Sequence, residues 1–162
     1  MKRLLVAFIG LVSMGEVMAS EPIQLSLTPD IALYNKSERI EGVALSIWGE
    51  NPQYAFAFGF VNGSTGDSSG LSWSYILNYA EDYTGVQWAM ANYTKGSFVG
   101  WQSGIVNYAG KLKGLQLGLV NYAETGNSGV QVGFLNIVPE NKWFSELPGK
   151  LAPGMIFVNW SF

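Results

Sequence analysis

The polar groups that recur in this chain are amides. Gln87, Gln102, Gln116 and Gln131 return at near-constant spacing, and each is followed at the same remove by an Asn: Asn92, Asn107, Asn121 and Asn136. A carboxamide donates and accepts hydrogen bonds, but it has no proton to exchange near neutral pH. These residues can therefore bind or build, and they do not act as acids or bases. The groups that could are scarce. The chain has no His and no Cys, which removes the commonest general base, the commonest transition-metal ligand, thiolate sites and disulfides. Ser residues occur without an activating base in any recognisable motif. The carboxylates of Glu81-Asp82 are adjacent, so on an extended chain they point to opposite sides, as suits a solvated turn; calcium is the unspecific alternative. The expectation is a protein without catalytic residues, cofactor or metal.

The amides belong to a unit repeated four times: Gly85 to Asn92, Gly100 to Asn107, Gly114 to Asn121 and Gly129 to Asn136. Its common form is Gly, apolar, Gln, variable, small, apolar, apolar, Asn. A repeat this short specifies one strand and one turn, which fixes the kind of architecture before any chemistry is read. Gly at the start of each unit predicts positive φ at a turn or bulge. The Gln residues are expected to bond one another in the interior, because a buried amide needs a partner. A sugar- or lipid-binding groove lined by the Gln and Asn residues is the functional alternative.

The N-terminus carries an address. Met1-Lys2-Arg3 is basic, Leu4 to Val12 is apolar, and Val17-Met18-Ala19 ends on a small residue. This pattern predicts a signal peptide over 1–19. The apolar run is too short to cross a bilayer as a helix. The net charge of -3 leaves no phosphate-neutralising face, so nucleic acid is not expected as a partner. Only 13% of residues are charged, about half the usual share for a soluble domain.

Those charges collect between strand-like runs, at Glu50, Asp67, Glu81, Asp82, Lys95, Lys111, Lys113 and Glu124. Alternation of period two predicts runs at roughly 40–49, 54–62, 70–79, 85–93, 98–108, 113–123, 128–137 and 152–162. Within a run the two faces differ in size and not in charge. Tyr54, Phe56, Phe58 and Phe60 share one face, and Ala55, Ala57, Gly59 and Val61 the other. Large apolar residues facing lipid and small ones filling a narrow interior account for both faces. Eight runs of such length predict an all-β fold, a small antiparallel transmembrane β-barrel of about eight strands. The last run ends on Phe162 with Ile156, Val158 and Trp160 on one face, which resembles the assembly signal of outer-membrane barrels. Outer-membrane lipid and the outer-membrane assembly machinery are the partners this predicts.

A β-solenoid is the alternative, with each repeat one coil and Asn and Gln stacked in ladders. Successive Asn residues, from Asn62 through Asn78 to Asn136, are spaced unevenly, and the later intervals alternate. Two turn lengths in antiparallel hairpins would give that alternation, and it tips the expectation toward the barrel. An eight-stranded barrel is too narrow for a porin-like channel.

Residues 138–151 interrupt the repeat. They set Trp143, Phe144 and Leu147 among charged residues, which makes this insertion the candidate partner-contact loop. Residues 20–39 form a separate N-terminal segment, in which Ile23 to Leu27 alternates as a further strand would; the repeat domain runs from 40 to 162.

The units Gly114 to Asn121 and Gly129 to Asn136 resemble those of bacterial surface-repeat proteins, which carry tandem Gly-apolar-Gln-apolar-Gly-apolar-apolar-Asn units. The likeness extends over about 70–137 and more loosely over 40–62; Ser72 and Ser74 depart from the pattern. It implies an outer-membrane or surface location and offers no catalytic motif. The function expected is structural or surface-interacting, with an exported solenoid binding or adhesive module as the alternative.

Overall fold

A computed structural model describes residues 20–141 and 153–161. The segment 1–19, Phe162 and the candidate contact residues Trp143, Phe144 and Leu147 lie outside the described residues. The strands are β1 (Ser20–Thr28), β2 (Ile31–Ala32), β3 (Arg39–Asn51), β4 (Tyr54–Trp88), β5 (Ala91–Ser103), β6 (Val106–Leu117), β7 (Val120–Ile137) and β8 (Gly154–Ser161). They hydrogen-bond in the order β2-β1-β3-β4-β5-β6-β7-β8.

The fold is all-β, as the alternation predicts, but its pairing is not that of a barrel. β1 with β3, and every successive pair from β3 through β7, runs parallel. Antiparallel pairs occur at the two ends, β1 with β2 and β7 with β8. The expected antiparallel transmembrane barrel is therefore corrected to its alternative: the chain winds as a β-solenoid. The register states the reason. Gly85 stands on Gly100, Gln87 on Gln102 and Asn92 on Asn107, each residue above its own kind. Antiparallel hairpins would set unlike positions side by side and leave the amides without the matched partners that stacking gives them.

The alternating spacing has a different cause from two hairpin turns. Ala80 pairs with Thr94, whereas Tyr83 pairs with Phe98, so one residue is gained between them; one is lost again between Thr94 and Ser97, and one is gained between Leu112 and Gly114. Each coil absorbs its one-residue change as a β-bulge, the first two at the charged corner and the third just past it, and parallel stacking resumes on either side. The runs also proved to be bent. Ala89-Met90, Gly104-Ile105 and Gly118-Leu119 interrupt the strands, so each run turns a corner midway. Alternation slips at the corner: Met90 and Ala91 both face outward between buried Ala89 and buried Asn92, as Ile105 and Val106 do before Asn107, so the inward phase shifts by one residue.

Glycine makes the coils close enough to stack. Gly85, Gly100 and Gly114 have φ of 135°, 133° and 132°, the positive values expected of the unit's first residue. They sit within strands and not at a turn. A Cβ on Gly100 would lie 2.0 Å from the carbonyl oxygen of Gly85, so a side chain is excluded both by φ and by the coil beneath.

Candidate functional site

The interior is filled by like residues in files. Under the charged corner, Tyr83, Phe98 and Leu112 form an apolar cluster with Ala80, Ala109, Ala123 and Val138. Burial pushes the Tyr83 phenol up from its ordinary value, and its hydroxyl has no partner. Much of the remaining interior is amide, with Ser64, Ser68, Ser72, Ser74 and Thr94 buried among the Gln and Asn side chains. Gln102 Nε2 donates to Gln87 Oε1 at 2.9 Å, Gln116 to Gln102 at 2.7 Å and Gln131 to Gln116 at 2.8 Å. The Asn file points the other way: Asn78 donates to Asn92 at 2.9 Å, and Asn92 to Asn107, Asn107 to Asn121 and Asn121 to Asn136 at 2.8 Å each. The expectation that the glutamines bond one another inside holds. The groove alternative fails, because Gln87, Gln102, Gln116 and Gln131 are fully buried and open onto no surface.

In the middle of the Asn file the second amide proton serves the backbone of a corner. Asn92 Nδ2 donates to Ser103 O, Asn107 to Leu117 O and Asn121 to Val132 O, at 2.8, 2.8 and 3.0 Å. The corner's own backbone groups pair with neighbouring coils, as in Ile105 N to Met90 O and Val120 N to Ile105 O. These Asn residues were expected where a run meets a turn; they stand just past a corner and satisfy it from within.

The charged corner is built differently. Glu81 Oε2 accepts from Gly66 N at 2.6 Å and Asp82 Oδ1 from Ser97 N at 2.5 Å. The two carboxylates do point to opposite sides, one to the preceding coil and one to the next. Among the described residues no group of acidic side chains is placed to hold a metal ion. Compared with protein families, curated proteins and solved structures, the chain matches none. The site must be read from its own geometry.

What remains is the outside. On the face formed by the first half of each coil, outward residues make three apolar files along the solenoid. The first runs through Ile23, Val43, Phe56, Val86, Trp101 and Leu115. The second runs through Leu45, Phe58, Trp73, Trp88, Ser103 and Leu117; Phe58 meets Trp73 edge-on at 5.4 Å, and Trp73 stacks on Trp88 at 5.5 Å. Ser103 interrupts the second file with a hydroxyl. The third follows the bend itself: Phe60, Tyr75, Met90, Ile105, Leu119 and Phe134, with Leu119 60% and Phe134 68% exposed. Continuous exposed apolar surface on this scale is unusual for a protein that stays free in water.

On the face after the bend, Ala91, Val106 and Val120 line up, followed by a tyrosine file. Tyr93 stacks on Tyr108 at 4.7 Å and Tyr108 on Tyr122 at 5.4 Å. Tyr108 donates to Glu124, whose carboxylate pushes the phenol up to about 12. Tyr79 donates to Glu50 and is likewise pushed up to about 12, by burial first and by that hydrogen bond second.

Past the bend Val61, expected inward, is partly exposed and its neighbour Asn62 is buried; ahead of the bend the sequence sorted inside from outside correctly. Tyr54, Phe56 and Phe60 point outward, and Ala55, Ala57 and Gly59 point inward. It missed that the outward residues gather on one side of a flattened coil, because alternation alone does not reveal the bend.

Proposed function

We propose that this protein is an exported β-solenoid that serves as a binding or adhesive module at the bacterial cell surface, without enzyme activity. The observation that carries this reading is the set of exposed apolar files, from Phe60 to Phe134 along the bend and beside it. The interior is fully used by its own ladders, so chemistry with another molecule is left to the outer surface. The signal-peptide pattern of residues 1–19, and the resemblance of the units to surface-repeat proteins, support export to the outer membrane or cell surface. The absence of His and Cys from the sequence supports a role outside catalysis.

Expression of the full chain with a C-terminal tag in a Gram-negative host, followed by fractionation and protease shaving of intact cells, tests it. The expected result is processed protein at the envelope, accessible from outside. Trp73→Ser with Trp88→Ser should release it to the medium or periplasm without loss of folding. Retention of unprocessed chain in the cytoplasm would sink the reading.

A further inference from the structure

We propose that the bend of the solenoid inserts edge-on into one leaflet of a lipid bilayer, with the long axis of the solenoid lying along the membrane surface. This rests on the surface-module reading and names its partner as lipid.

Shape argues for a fluid partner. The apolar surface is convex: it covers the face before the bend, the bend, and the file of Ala91, Val106 and Val120 beyond it. A rigid second copy laid on the flat face would leave the bend and the far file in water. Acyl chains conform to an edge and cover all three at once.

Depth agrees. From Met90 back to Val86 the apolar side spans roughly 13 Å, and from Met90 forward to Tyr93 roughly 10 Å, at ~3.3 Å per residue. A single leaflet offers about half of the ~30 Å hydrocarbon core. The apolar files stop where a headgroup region would begin. On one side the next file is mixed, Thr84, Val99 and Lys113 in register, and on the other the tyrosine file is followed by Lys95 and Glu124. Tyrosine favours that depth, with its ring in hydrocarbon and its hydroxyl among headgroups.

The backbone supplies an independent argument. Turns in water leave N–H and C=O groups to be hydrated, which hydrocarbon does not allow. Here the bend bonds its backbone to neighbouring coils, and Asn92, Asn107 and Asn121 satisfy carbonyls beside it from inside. At the N-terminal end, β2 pairs with the part of β1 nearest the bend, with Leu33 N donating to Leu25 O. The opposite corner, by contrast, is closed by carboxylates at Glu81 and Asp82. One corner is finished for hydrocarbon and the other for water.

Flotation of the full chain with protein-free phosphatidylcholine vesicles tests this. The wild-type protein should float with the vesicles, equally at low and high salt, since burial of apolar surface and not charge drives it. Met90→Glu with Leu119→Glu should lower the partition at least tenfold. Both side chains are exposed, so circular dichroism should stay that of the wild type. Lys111→Glu, on the water-side corner, should float as the wild type does. A chain that holds to cell envelopes but ignores protein-free vesicles would overturn the lipid partner and leave the surface-module reading standing. A monodisperse dimer that ignores vesicles and dissociates on Met90→Glu would overturn it in favour of a second copy. A chain that binds neither vesicles nor envelopes would overturn both readings.

Discussion

An amide in the middle of a ladder has a neighbour on each side, and an amide at its end has one. Gln116 donates to Gln102 and accepts from Gln131. Gln87 is an end: Ser72 takes the ladder position in the coil before it and turns its hydroxyl to Asn78, so Gln87 Nε2 is buried without a partner. Gln131 Oε1 is the matching orphan at the other end. Gln116→Leu would leave Gln102 Oε1 buried without a donor, whereas Gln87→Leu removes an Nε2 already unpaired together with an Oε1 that accepts from Gln102 and Thr94; Gln102 Nε2 would keep Thr94 and Tyr108 O, and Thr94 Oγ1 would still accept from Gln102. An orphaned buried polar group costs about 1–3 kcal/mol. Urea unfolding followed by circular dichroism should therefore show Gln116→Leu as the more destabilising by about that amount. Outside, the tyrosines give a pH signature. Tyr108 is held protonated by Glu124 up to about 12, above the ordinary phenol value of about 10 expected in the unfolded chain. A raised folded value means that this contribution is complete below about pH 10 and is lost as pH rises through about 12. Tyrosinate absorbance should show late-titrating phenols, and Glu124→Gln should bring one of them back toward the ordinary value.

Elements form here because small residues let coils approach, and the glycines separate the two ways of testing that. Gly100 has φ 133°, and a Cβ there would meet Gly85 O at 2.0 Å, whereas Gly66 has φ 58° and open space around it. At Gly66 an Ala pays only the left-handed backbone cost of about 1–2 kcal/mol. At Gly100 the chain must also pull two coils apart. Thermal melts should place Gly66→Ala slightly below the wild type and Gly100→Ala far below it or unfolded. Much of this scale was legible: the strands, the inward and outward residues ahead of each bend, the positive φ of Gly85, Gly100 and Gly114, though not of Gly129, and the mutual bonding of the glutamines follow from the repeat. Strand direction was not legible. Uneven Asn spacing pointed to hairpins because a one-residue bulge at the charged corner, between Thr94 and Ser97 for instance, leaves no mark in composition. The bend at Ala89-Met90 was hidden because period two was carried straight through it, whereas adjacent apolar pairs such as Ile105-Val106 and Phe134-Leu135 both face outward there and shift the phase by one residue. The candidate surface was half visible: its residues were read as outward and apolar, but their gathering along one edge depends on that bend.

At the scale of the whole molecule, a stack of parallel coils has two open ends, and each end exposes a row of unpaired backbone groups that can template another chain. This protein finishes both ends with strands that run against the stack. β2 lies antiparallel on β1, and β8 lies antiparallel on β7, pairing Gln131 with Asn159 and Gly129 with Ser161. Reversal breaks the matched register on which further coils would grow. Asn159 replaces the next residue of the amide files, and Asn141 holds it at 2.8 Å. The C-terminal alternation that suggested a barrel strand thus finds its place as a cap, with Ile156 and Phe157 extending the exposed apolar edge. The cap makes a prediction independent of any partner. Removing β8 by ending the chain after Asn141 leaves β7 with its repeat register exposed, while coils β3 to β6 keep all their pairings. Such a chain should retain strand circular dichroism yet associate end to end, reaching fibrous or high-mass species at concentrations where the full chain in detergent stays discrete by light scattering. A truncated chain that remained discrete would mean that the β7 edge is not a template and that β8 contributes only its own packing.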